Sequence, residues 1–208
     1  MDQSSNSMPE PAQHSQTQTA MRNFHVARQW GQLVGTNIRT FDEQNNLICF
    51  AKQKAFKLKE EVTFFHDEEQ TKPMFKVKAR NIIDIAATYD MFDLNGALIG
   101  SLRRRGLASA FVRDEWVILN AQDQEVGTIT EDSVALGVIR RYVDFVAYVL
   151  PQTYSVNFSG QDVGELKQRR NPFTVKYDYS VRSETYNKYP LLILAIPNLL
   201  AIIEARQN

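Results

Sequence analysis

Cysteine is all but missing from this chain. Cys49 stands alone among 208 residues, which excludes an internal disulfide and any zinc site built on cysteine clusters, and suits a reducing compartment such as the cytoplasm. A surplus of charge is missing too. Twenty-four basic and 24 acidic side chains cancel, so the whole-molecule field does not announce a nucleic-acid partner, and any electrostatic function has to be local. No glycine loop has phosphate-cradling spacing, which argues against a nucleotide enzyme. His14, His25 and His66 lack the nucleophile partners, glycine elbow or ligand spacing of a catalytic or metal site. Asp114 and Glu115 beside Trp116 are adjacent, and neighbours on a strand point to opposite faces, so without a bulge they do not act on one substrate. The reading is therefore non-enzymatic, with no cofactor and no metal ligand expected. The first residues lack a basic start followed by an apolar core, so they do not read as a secretory signal.

What is present is a repeat. "YDMFDLNGALIGSLRRRG" (Tyr89 to Gly106), "WVILNAQDQEVGTITED" (Trp116 to Asp132) and "YSVNFSGQDVGELKQRRN" (Tyr154 to Asn171) share an apolar strand, a polar turn, then an apolar residue and glycine. The shared glycines are Gly100, Gly127 and Gly164. "IRTFDEQNNLICFAKQK" (Ile38 to Lys54) has the same shape with Cys49 at the glycine position. Each unit reads as a hairpin with a short loop, and the glycines as backbone geometry, a bulge or a close approach. A calcium loop at Asp93, Asn95 and Gly96 has too few oxygen ligands and no distal glutamate. Further alternating segments run over Ala55 to Phe65, Met74 to Arg80 and Phe173 to Val181, with a first strand near Phe24 to Trp30. Together they give roughly twelve strands, a count suited to a closed antiparallel barrel.

Two segments read as helices. Glu131 to Leu150 repeats apolar residues at Val134, Val138, Tyr142 and Val146 and at Ala135, Ile139, Val143 and Ala147, an amphipathic pattern capped by Asp132 or Ser133 and stopped by Pro151. Packing over a barrel mouth is its ordinary role, and a membrane-surface role through Arg140 and Arg141 is the sharper one. The most hydrophobic stretch, Leu191 to Ile203, is shorter than the about 20 residues of a membrane span and is interrupted by Pro197 and Asn198. An all-apolar helix outside lipid must be enclosed by protein. A barrel wider than eight strands leaves a lumen that a helix about 10–12 Å across fills. The expected fold is mainly β, a closed antiparallel barrel of about twelve strands around a buried C-terminal helix. Residues 1–22 are expected as a disordered tail and 23–208 as the barrel domain.

These segments, with "RDEWVILNAQDQEVGTITEDS", "PQTYSVNFSGQDVGELKQRRNPF" and the closing "LLAIIEARQ", resemble the tubby-like superfamily, and within it the phospholipid scramblase-like and LURP-one-related proteins. The likeness covers about Phe24 to Gln207. It implies a twelve-stranded barrel around a hydrophobic C-terminal helix, and association with membrane phospholipids in some members. Eukaryotic scramblases typically carry a proline-rich N-terminal region, a palmitoylated cysteine cluster and an acidic calcium segment before the final helix. Here the tail is short, Cys49 is alone, and "NPFTVKYDYSV" offers only Asp178. Calcium-activated, lipid-anchored scrambling is therefore not expected, and Pro197 is expected to kink the helix.

In an up-and-down meander the hairpin turns share one end and the return strands run toward the other. The turns carry Asp42, Glu43, Asp67, Glu68, Glu69, Asp93, Asp123 and Asp162. The return strands reach Lys52, Lys54, Arg103, Arg104, Arg105, Lys167, Arg169 and Arg170, and Lys57, Lys59, Lys76, Lys78 and Arg80 extend the basic face. The sequence thus predicts an acidic end and a basic face that binds anionic phospholipid headgroups. The expected protein is cytoplasmic, peripheral at the membrane and not transmembrane, with an anionic phospholipid surface as partner. The competing readings are solvated strand faces on a protein-interaction or structural module that uses sheet edges or the tail, and lipid translocation by family resemblance.

Overall fold

The computed structural model describes residues 20–29, 36–53, 61–81, 87–105, 115–132, 152–170 and 174–207. Twelve strands form one closed, sequentially ordered antiparallel barrel. They are β1 (Met21–Gln29), β2 (Thr36–Phe41), β3 (Leu47–Gln53), β4 (Val62–Phe65), β5 (Pro73–Asn81), β6 (Thr88–Phe92), β7 (Leu98–Arg104), β8 (Glu115–Asn120), β9 (Glu125–Glu131), β10 (Gln152–Phe158), β11 (Gln161–Arg170) and β12 (Thr174–Arg182). β1 closes the ring on β12 over its whole length, from Met21 opposite Arg182 to Gln29 opposite Thr174. A short helix α1 (Ser183–Lys188) and a longer α2 (Pro190–Gln207) follow. The tail up to residue 19 lies outside the described residues, as do positions 55–60 of the expected Ala55 strand. Of the expected Glu131 to Leu150 helix, Glu131 belongs to β9, Asp132 donates its N–H to Thr153 O, and 133–150 lie outside the described residues.

The hairpin repeat is visible atom by atom. Asp42, Asp93 and Asn120 open their turns, and each side-chain oxygen accepts backbone N–H groups two and four residues on. Asp67 accepts instead from the N–H groups of Thr71 and Lys72, four and five residues on. Three residues after each of the four, the chain has positive φ, at Asn45, Gln70, Gly96 and Asp123, and its N–H returns to the carbonyl of the opening residue. Short polar side chains at such a turn supply the hydrogen bond that the backbone lacks. The Asp93 carboxylate of the discarded calcium loop is therefore engaged by Asn95 N and Ala97 N. Each hairpin also slips register once before its turn, as between Met91 and Phe92. The shared glycines mark close approach to the next strand. A Cβ at Gly100, Gly127 or Gly164 would stand 2.5, 2.3 or 2.3 Å from the backbone oxygen of Leu119, Asn157 or Ser180.

Alternation sorts the strands into an apolar interior and a charged exterior. Phe75, Val77, Tyr89, Leu102, Trp116, Ile118, Ile129, Leu166, Tyr177 and Tyr179 point inward and are buried. The exterior carries Arg39, Lys76, Arg80, Lys167, Arg169 and Asp178, the reverse of a lipid-embedded barrel with its outward apolar band.

The lumen is filled by α2, whose residues Leu192 to Ile203 are all buried. The helix starts where Tyr189 packs on Phe158, with ring centroids 4.9 Å apart, next to the β10–β11 turn. It runs toward the far end, where the buried Arg28 donates to Ala201 O at 3.3 Å. A cation on the C-terminal half of a helix suits the negative end of its dipole. Pro197 removes the N–H that Ile193 O would take, yet the helix continues through it. Asn198 is satisfied inside the barrel: its Nδ2 donates to Leu194 O at 2.8 Å and its Oδ1 accepts from Thr40 Oγ1 at 2.9 Å. The residue that argued against a lipid-facing helix is a polar pin between helix and wall. Among the described residues no helix is long and apolar enough to cross a membrane.

Candidate functional site

The basic face was expected on the outward positions of the return strands, and the structure divides its thirteen residues by what they touch. Five are ion-paired. Arg80 Nε and Nη2 grip Asp90 at 2.7–3.0 Å while Nη1 and Nη2 hold Asp123 at 2.9 Å, and Ser101 Oγ donates to Asp90 from behind. Arg105 reaches Glu115 at 2.6 Å and Glu125 at 3.1 Å. Lys76 pairs with Glu61, Lys167 with Glu165, and Arg169 with Asp178. Arg104 lies over the Trp116 ring, 5.7 Å from its centroid. Lys54, Lys57 and Lys59 lie outside the described residues, as does the side chain of Arg170. Lys52, Lys78 and Arg103 remain: all three are exposed, and none forms an ion pair with a described residue.

The expected division into an acidic end and a basic end is blurred, for a geometric reason. Strands in a closed barrel tilt by roughly 35–45°, so a turn at one end of a hairpin reaches the mid-height of strands further round. Asp123, in the β8–β9 turn, thereby meets Arg80 of β5, and Glu68, in the β4–β5 turn, meets Arg39 of β2 through two hydrogen bonds of 2.7 and 2.8 Å. These pairings hold the Asp123 and Glu68 carboxyls below the usual range and push the two guanidinium groups up. Arg103 adds its own field to Asp123. Asp42 and Asp67 are also held low, by hydrogen bonds within their turns, chiefly from Asn46 and Thr71. The acidic turns thus form internal caps and clasps.

The histidines and the cysteine are now placed as well. His25 sits on the exterior with Nδ1 2.9 Å from Asp178 Oδ1, a pairing across β1 and β12 that sequence spacing cannot show. His66 is exposed at the start of the β4–β5 turn, its N–H donating to Lys72 O. Cys49 faces the lumen, fully buried, and burial pushes its thiol well above the ordinary range. Among the described residues no group of acidic, histidine or cysteine side chains could hold a metal ion.

A family model, LURP-one-related, matches residues 47–196, from the start of β3 into the plug helix and well over half of the chain. The chain belongs to the LURP-one-related family. The match takes in each of the hairpins from β4 to β11, the three shared glycines and Cys49, so the family's sequence signature coincides with the barrel's repeat. This LURP-one-related chain has a barrel of the tubby-like type, in keeping with the resemblance carried by its hairpins. Neither a curated protein nor a solved structure matches it.

Sequence reasoning missed Lys176. It lies on the wet face of the Phe173 to Val181 segment, exposed and without an ion pair to a described residue. The alternation of that segment carried the signal, because Lys176, Asp178 and Ser180 all fall on the face opposite Tyr177 and Tyr179.

Proposed function

We propose that this LURP-one-related barrel is a non-enzymatic, peripheral binder of anionic phospholipid headgroups, acting through the exterior of β3, β5 and β7. One observation supports it: once the ion pairs are assigned, Lys52, Lys78 and Arg103 stay exposed on successive return strands without an ion pair to a described residue. Alternate strands lie about 10 Å apart, so the three cations spread over a patch that can meet several headgroups at once. Each cation near an anionic surface adds about 1 kcal/mol. A translocation route through the barrel finds no support, because α2 occupies the lumen. A binding mode through sheet edges finds none either, because β1 pairs with β12 and the ring has no edge.

Vesicle flotation tests the reading. The protein should float with vesicles containing phosphatidylserine and not with pure phosphatidylcholine, less so as salt rises. Replacing Lys52, Lys78 and Arg103 together with Gln should weaken binding roughly a hundredfold, about 1 kcal/mol for each charge. Equal binding by the triple variant, or none by the native chain, would sink the proposal.

A further inference from the structure

On the wall formed by β11, β12 and β1, away from the β3–β7 patch, the register assembles a second cationic lattice. Arg169 of β11 lies directly opposite Lys176 of β12, which lies opposite Ala27 of β1, which lies opposite Arg39 of β2. On the next outward rung Lys167 faces Asp178, and Asp178 faces His25. Like charges set directly across two strands are destabilising, yet Arg169 and Lys176 occupy such a pair. A carboxylate offsets each neighbour: Asp178 sits 2.5 Å from Arg169, Glu165 3.1 Å from Lys167, and Glu68 2.7 Å from Arg39. Lys176 has none. Lys167, Arg169, Lys176 and Arg39 stand against Glu165, Asp178, Glu68 and the Glu43 that Asn23 holds, so the charges balance over the wall and the positive excess is local to the Arg169 and Lys176 pair. Arg169 and His25 keep 72% and 55% of their side-chain surface in solvent. Ala27, between Lys176 and Arg39 in the register, contributes only a methyl group, so these cations border a low point in the wall.

We propose that this wall binds one phosphate-class anion over Ala27. Lys176 and Arg169 are its donors. An anion there relieves the repulsion between the cross-strand cations. It also competes with Asp178 for Arg169, whose planar fork suits phosphate oxygens. The groups facing His25 are Asp178 and Lys176 on β12, Lys167 and Arg169 on β11, and Arg39 on β2, with Glu43 two residues away on Asn23 N. The patch on β3, β5 and β7 lies on other strands of the ring, so the anion site stands whether or not the barrel meets a membrane.

Sulfate is the probe of choice because its charge is constant between pH 6 and 8. Amide NMR of the full-length protein during sulfate titration should show saturable shifts at Ala27, Lys176 and Asp178. Lys176→Gln should abolish the shifts while leaving the remaining amide spectrum in place. Inorganic phosphate at pH 8 and vesicles containing phosphatidic acid form two further arms. Binding of the free anion alone identifies a soluble phosphate ligand, and binding of the vesicles, lost in Lys176→Gln, identifies a headgroup. Sulfate shifts that do not saturate, or that persist in Lys176→Gln, overturn the site.

Discussion

Replacing Thr40 with Val removes one hydroxyl from the wall and tests whether the plug is seated as described. Thr40 and Asn198 are both fully buried, and the 2.9 Å bond from Thr40 Oγ1 to Asn198 Oδ1 joins β2 to the middle of α2. Val has nearly the shape of Thr, so little of the effect comes from packing. The variant leaves the Asn198 oxygen buried without that donor, and a buried acceptor stripped of its partner costs about 1–3 kcal/mol. For a domain of about 150–250 residues each kcal/mol lowers the melting temperature by about 2–4 °C, so Thr40→Val should melt about 2–12 °C lower. Asn198→Leu should also destabilise, because it additionally frees Leu194 O from its 2.8 Å bond. The double variant should be more stable than the sum of the two losses, with coupling of about 1 kcal/mol or more. Urea unfolding followed by tryptophan fluorescence gives all four corners of the cycle. Additive losses, or a Thr40→Val change within about 0.5 kcal/mol of native, would mean that the helix sits at another depth or rotation.

Three further outcomes follow from the same geometry. Gly127→Ala should destabilise strongly or prevent folding, since its Cβ would lie 2.3 Å from the Asn157 oxygen of the neighbouring strand, whereas Gly96→Ala, with open space around it, should cost about 1 kcal/mol through its positive φ alone; thermal melts separate the two. Cys49 should not react with a thiol reagent in the native protein and should react fully in urea, because it is buried and its thiol is held in the protonated form. Asp42, Asp67, Asp123 and Glu68 have folded-state values below their unfolded ones, so their contribution is complete above about pH 4–5 and is lost as pH falls through the depressed values; the melting temperature should be flat in this respect from pH 7 to 5 and fall below about pH 4.

The barrel was legible because its signals are local. Alternation, the Asx turns and the glycine after three of the turns recur within segments of fewer than twenty residues, and each records a contact between adjacent strands. The plug was legible by elimination, as an apolar run too short for a bilayer and too apolar for water. The site was not legible to the same degree. Arg80 and Asp123 are separated by 43 residues and meet only because the strands tilt, and His25 and Asp178, 153 residues apart, meet only because the ring closes. Sequence gives the face on which a charge stands and leaves its partner unknown. Arg80, Arg105 and Arg169 therefore looked as available as Lys52 and Lys78.

The central claim is that α2 fills the barrel and stays there, leaving any membrane contact to the charged exterior. Hydrogen exchange with and without phosphatidylserine vesicles tests it directly. The peptides of residues 190–203 should exchange as slowly as those of β8 and β9 in both conditions, with new protection confined to β3, β5 and β7. Fast exchange of α2 in the free protein, or a change in its protection on adding vesicles, would contradict it.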